Sequence, residues 1–202
     1  MNKLHLDVVN HFNNRQHIAH GMDHAERVAA LARHIALKEN YDPDEAEIAG
    51  ILHDIGRTVQ EEEKGHGPAG VPLASELLDK HMDYDSGTKE RILNAVRDHS
   101  DLHTEGHLTH ILQDADMLDG LGAIGIMRAY TSKAHLPCYD PANIAPTVGQ
   151  RNTNIHDQIA FQMEWLDMMH TKTGKEIAER RHALMAKFLD NFRLEVLGED
   201  YQ

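Results

Sequence analysis

Residues 42–56 read DPDEAEIAGILHDIG, and the organisation of the whole chain follows from this stretch. Asp42 is a helix N-cap acid, Pro43 suits the first helical position, and Asp44 and Glu45 stand beside the positive end of the helix dipole. Ile48, Ala49, Ile51, Leu52 and Ile55 then supply an apolar stripe, which predicts an almost wholly internal helix with Gly56 as the residue after its C-terminus. His53 and Asp54 close that apolar helix. A buried, unpaired carboxylate must be compensated or shift its pKa until it is neutral. A divalent cation is the natural compensation, and an Asp that caps or pairs with a neighbour is the bland one.

Helical periodicity continues on both sides. Over 24–38, Val28, Leu31, Ala32 and Ile35 recur at three and four, which describes one apolar face. Residues 61–70 read as a charged, glycine-containing loop. A helix over 71–80 turns Leu73, Leu77 and Leu78 inward, and another over 87–99 carries Ile92, Leu93 and Val96. The pattern resumes over 108–130, with a break or close packing at Gly120, Gly122 and Gly125. The segment 131–154, with Pro137, Pro141 and Pro146, lacks periodicity and is expected to be a loop that covers substrate. Two amphipathic helices follow, marked by Ile155, Ile159, Met163 and Leu166, then by Ile177, Leu184, Met185, Phe188 and Phe192. Runs of alternating residues are lacking, so the expected fold class is all-α, with a single compact helical domain over 1–202.

The composition narrows the function. With 202 residues and 41% of them hydrophobic, the chain has enough core to fold without disulfides or a structural metal. Cys138 is the only cysteine, which excludes a disulfide framework within the chain. No stretch approaches the ~20 apolar residues of a membrane span, so no membrane partner and a cytoplasmic location are expected. A formal charge of −13 disfavours nucleic acid as a partner. The 17 histidines are more suggestive, since imidazole is the commonest metal ligand, although most are expected on solvated faces.

Other residues of the kind that hold a cation occur in order around His53 and Asp54. His24 opens an apolar helix, and Asp114-Ala115-Asp116 follows the apolar pair Ile111 and Leu112. The set His24, His53-Asp54 and Asp116 resembles the HD-domain superfamily of metal-dependent phosphohydrolases, whose pattern is His, then His-Asp, then a distant Asp. The resemblance extends to a small bacterial subgroup through 114–126, read as Asp-Ala-Asp-x-Leu-Asp-Gly-Leu-Gly-Ala-Ile-Gly-Ile, and through Glu179-Arg180-Arg181-His182 with Phe188-Leu189. It covers most of the chain from about His20 onward.

The resemblance implies an all-helical fold in which His24, His53, Asp54 and Asp116 hold one divalent ion. Two imidazoles and two carboxylates suit Mn²⁺, Mg²⁺, Fe²⁺, Co²⁺ or Ni²⁺. The implied reaction is hydrolysis of a nucleotide or small phosphoester by metal-activated water. Asp114 competes with Asp116 for the ligand role; by resemblance the second acid is the ligand and Asp114 orients neighbouring groups. Asp119 reads as structural. His20 is expected to orient the site.

The chain departs from its relatives at Met117, where they often carry a basic residue. Arg57, Arg128 and Lys133 are the candidates to supply that charge, Arg57 foremost. His66 and His99 stand where some branches hold a second metal; in the competing reading His99 is a substrate-facing acid or base and His66 sits in a loop. The rival functions are a diiron oxygenase of the same superfamily and a non-catalytic metal- or nucleotide-binding sensor. Assembly into a homo-oligomer is compatible with the sequence.

Overall fold

A computed structural model of the chain describes residues 3–14, 19–60, 64–145 and 151–201. Among them lie α1 (Lys3–Asn13), α2 (Met22–Lys38), α3 (Pro43–Leu52), α4 (His66–His81), α5 (Ser86–Asp98), α6 (His107–Asp119), α7 (Gly122–Ser132), α8 (Ile155–Met163) and α9 (Lys172–Leu197), with 3-10 turns at Ile55–Thr58 and Glu164–Met168. The described residues form no strand beyond an isolated bridge of Asp140 with Asn143, so the fold is all-α. Two compact units can be described within the chain: Met1–Asp116 with His170–Gly174, and Met117–Met169 with Lys175–Gln202.

In the first unit, α3 starts as its sequence dictates. Asp42 Oδ1 accepts the N–H of Asp44 at 2.8 Å and of Glu45 at 3.1 Å, and Pro43 is the first helical residue. The stripe Ala46, Ala49 and Leu52 packs against α2, whose Val28, Ala32 and Ile35 are likewise fully buried. Burial of a large aliphatic side chain contributes about 1.5–3 kcal/mol. The close approach requires glycine at position 50, where a Cβ would lie 2.5 Å from the Ala29 Cα.

Two boundaries differ from the sequence reading. α3 ends at Leu52, and Gly56 lies inside the 3-10 turn with no positive φ, so it is not a left-handed helix terminator. α4 begins at His66 rather than in the low seventies; Pro68 falls in its first turn, where no backbone N–H has a helical partner to lose. Of the expected loop over 61–70, residues 61–63 lie outside the described residues.

In the second unit, α7 begins after a break at Gly120 and Leu121, and residues 133–145 and 151–154 carry no helix; Pro146 lies outside the described residues. Ala178, Met185 and Leu189 define the buried face of α9. Leu184, expected on that stripe, is 46% exposed because it stands about 100° around the helix from Met185. Asp119 is fully buried and pairs with Arg128 at 3.1 Å, so Arg128 is already engaged by a carboxylate.

Candidate metal centre

Four helix ends of the first unit supply the site. His24 lies in the first turn of α2, His53 and Asp54 follow the end of α3, His66 opens α4, and His99 follows the end of α5. Asp116 comes from the last turns of α6.

Two of the imidazoles are oriented by their own helices. His53 Nδ1 donates to the Gly50 carbonyl at 2.8 Å and His99 Nδ1 to the Val96 carbonyl at 2.8 Å, each three residues back. These carbonyls belong to the final helical turn, where no intrahelical N–H remains to bond them. The acceptor fixes the tautomer and leaves Nε2 of His53 with a lone pair turned into the cluster.

His53 Nε2 is 3.2 Å from His24 Nε2, 3.5 Å from Asp54 Oδ2 and 3.9 Å from Asp116 Oδ1. His24 Nε2 is 3.7 Å from Asp54 Oδ2 and 3.3 Å from Asp116 Oδ1. Donor atoms each about 2.1 Å from a common ion stand about 3.0 Å apart at a right angle and about 3.4 Å apart at the tetrahedral angle. His24, His53 and Asp116 thus form a group that could hold a metal ion, and Asp54 Oδ2 lies 3.5 Å from His53 and 3.7 Å from His24.

The site is closed on one side and open on the other. The side chains of His24, His53 and Asp54 are 2% exposed or less, whereas those of Asp116 and His20 are each 32% exposed. Approach from solvent is therefore past His20 and Asp116. His20 Nδ1 lies 2.8 Å from Asp54 Oδ2.

The carboxylate of Asp54 divides the centre in two. Oδ2 faces His20, His24 and His53. Oδ1 accepts Arg57 Nε at 2.7 Å and lies 3.1 Å from His66 Nε2 and 3.7 Å from His99 Nε2. Burial alone would push the Asp54 carboxyl up, but His53, His20, His66 and His99 together hold it well below the usual carboxylate range. Burial likewise opposes ionisation of Asp116, and is outweighed by His24 and His53.

Asp114 points elsewhere. Its Oδ1 accepts the His170 N–H at 2.8 Å, and its Oδ2 accepts the Thr171 N–H at 2.8 Å and the Thr171 hydroxyl at 2.6 Å. Thr171 Oγ1 in turn accepts the Gly174 N–H at 2.9 Å, which caps the start of α9. Asp114 thus fastens the segment 170–174 to α6 two residues before Asp116. Sequence reasoning named neither these partners nor the carbonyls of Gly50 and Val96; a His three residues past a helix interior position is the signal for the latter.

Burial depresses the pKa of His53 from 6.5 to about 4. The fold is therefore stabilised by neutral His53 above pH 6.5 and loses that contribution, about 3 kcal/mol, as the pH falls from 6.5 through 4. His20 shifts in the same direction, again through burial. Urea denaturation of chelator-treated protein at pH 7, 5 and 4 is expected to show this decline; a stability that holds flat to pH 4 would contradict the burial of a neutral imidazole.

The HD domain family pattern matches residues 21–121 of this chain. The uncharacterized protein YpgQ of Bacillus subtilis is 29% identical over 194 residues, covering 90% of this chain and 86% of YpgQ. A crystal structure of an HD-superfamily hydrolase from Bacillus thuringiensis superposes with a TM-score of 0.76 at 25% identity, over 96% of this chain and 94% of that one. The crystal structure of Bacillus subtilis YpgQ in complex with ADP has a TM-score of 0.73 at 22% identity, over 98% of each chain, a likeness of fold.

Proposed function

Since the chain belongs to the HD-domain family, we propose that it is a metal-dependent phosphohydrolase acting on a nucleotide or another small phosphoester. One observation carries this reading: the Nε2 atoms of His24 and His53 stand 3.2 Å apart, and one oxygen of Asp54 and one of Asp116 each lie 3.3–3.9 Å from both, at a place open to solvent past Asp116. These four residues would hold Mn²⁺, Mg²⁺, Fe²⁺, Co²⁺ or Ni²⁺. When bound, such an ion supplies Lewis acidity toward a phosphoryl oxygen and makes water nucleophilic near neutral pH.

The remaining residues prepare that place. Asp54, kept ionised by its imidazoles, supplies negative charge without titrating near neutrality. His20 and Asp116 border the open edge, where the phosphate would enter. Arg57 and His99 lie on the far oxygen of Asp54, so we assign them to positioning that carboxylate rather than to contact with substrate. The crystallisation of YpgQ with ADP supports a nucleotide as the ligand class. Among the described residues no helix is long and apolar enough to cross a membrane.

Release of phosphate or pyrophosphate from a panel of nucleotides and phosphorylated metabolites with Mn²⁺, Co²⁺ and Mg²⁺ tests the proposal. Turnover is expected with at least one pair and is lost in Asp116→Asn. Oxygen consumption with two irons per chain would favour the oxygenase instead, and tight nucleotide binding without product would favour a sensor.

A further inference from the structure

Asp54 Oδ1, His66 Nε2 and His99 Nε2 lie 2.9–3.7 Å from one another, a spacing that a cation could span. A positive charge is already there. Arg57 Nε donates to Asp54 Oδ1 at 2.7 Å, and Arg57 Nη2 reaches within 3.3 Å of His66 Nε2. The guanidinium is a cation bound to the chain, three residues after the carboxylate it contacts. Its side chain is 13% exposed, so water screens it weakly.

We infer that the Arg57 guanidinium fills the place that a second metal would take, so the centre loads a single ion on the His24 side of Asp54. This rests on the reading of His24, His53, Asp54 and Asp116 as that ion's ligands. Two further features bear on it. An ion about 2.1 Å from Asp54 Oδ1 would stand within about 4–5 Å of the guanidinium nitrogens, in a buried place where like charges repel strongly. Arg57 Nη2 also stands 3.3 Å from His66 Nε2, on the imidazole atom that a second ion would need. His66 therefore borders the arginine, and the arginine keeps Asp54 Oδ1 occupied.

Metal-free protein titrated with Mn²⁺, with bound ions counted by equilibrium dialysis and elemental analysis and paired ions detected by exchange-coupled EPR signals, tests the assignment without any substrate. Wild-type protein is expected to take up one ion with no coupled signal, and His99→Ala is expected to leave that count unchanged. Arg57→Gln, which keeps hydrogen-bonding capacity and removes the charge, is expected to take up a second ion and show coupling; Arg57→Gln combined with His99→Ala is expected to return to one. Two ions in the wild type, with one lost in His99→Ala, would overturn the inference, as would an Arg57→Gln protein that folds and still binds one. If Arg57→Gln does not fold, the His99→Ala count in the presence of Arg57 decides the matter. A wild type that binds no ion overturns both this inference and the ligand set beneath it. A count of one with no phosphate turnover leaves the inference standing and removes only the proposed chemistry.

Discussion

Asp54→Ala is expected to lose the ion and to lower kcat/KM by about three orders of magnitude or more. This one side chain touches both halves of the centre: Oδ2 faces His20, His24 and His53, and Oδ1 faces Arg57, His66 and His99. Its removal also leaves the Arg57 guanidinium without its carboxylate in a place that is 13% exposed. Breaking a buried ion pair from one side costs about 3–5 kcal/mol, so the variant should be less stable even without metal. Asp54→Asn separates the two effects. The amide keeps the shape and a carbonyl for Arg57, and should retain more of the stability while still losing most of the metal affinity. Elemental analysis, steady-state kinetics and urea denaturation of both variants check this, and an Asp54→Asn protein with native metal content and turnover would refute the ligand role.

Gly56→Ala carries the second large effect, and no catalytic atom is involved. A Cβ at position 56 would lie 1.8 Å from the His66 carbonyl oxygen and 2.7 Å from the Gly70 backbone nitrogen. Both obstacles are backbone atoms of α4, so relief requires the whole helix to withdraw from the turn Ile55–Thr58. Overpacking of this kind costs about 3 kcal/mol or more. Because His66 is the first residue of α4 and Arg57 belongs to the turn, the contacts of both with Asp54 would loosen together. A lowered urea midpoint accompanied by weaker Mn²⁺ binding is the expected result. An unchanged midpoint would show that α4 yields easily and that the close approach is not needed.

The stretch 42–56 illustrates how much of the architecture is local. Asp42, Pro43 and the acids after them form a helix start wherever they occur, because they satisfy N–H groups of their own first turn. The same stretch misleads at its other end. Gly56 reads as a helix terminator because glycine tolerates positive φ, yet here it serves the approach of α4, a partner ten residues on that no local pattern announces. The start of α4 was hidden for a similar reason. Gly67, Gly70 and Pro72 weaken a helix in isolation, and the helix forms there because its first residues are buried against other elements of the unit.

The candidate site shows the same division. The order His24, His53-Asp54, Asp116 is written in the chain, and the resemblance to HD domains chose Asp116 over Asp114. That both oxygens of Asp114 accept hydrogen bonds is visible only once the segment 170–174 folds onto it. For His66 and His99 the sequence permits a second metal or other roles, because spacing does not reveal that Arg57 turns back onto Asp54 beside His66.

By itself, then, the sequence determined the helical class, the cap and stripe of α3, and which ionisable residues are too costly to bury without a partner, since these follow from periodicity and desolvation within a few residues of chain. Tertiary structure alone decided which oxygen of Asp54 faces which histidines, where the centre opens to solvent, and which acid of the Asp114–Asp116 pair remains available. Those outcomes depend on helix ends far apart in the chain arriving within hydrogen-bonding distance, and the packing of α2, α3, α4, α5 and α6 sets that distance.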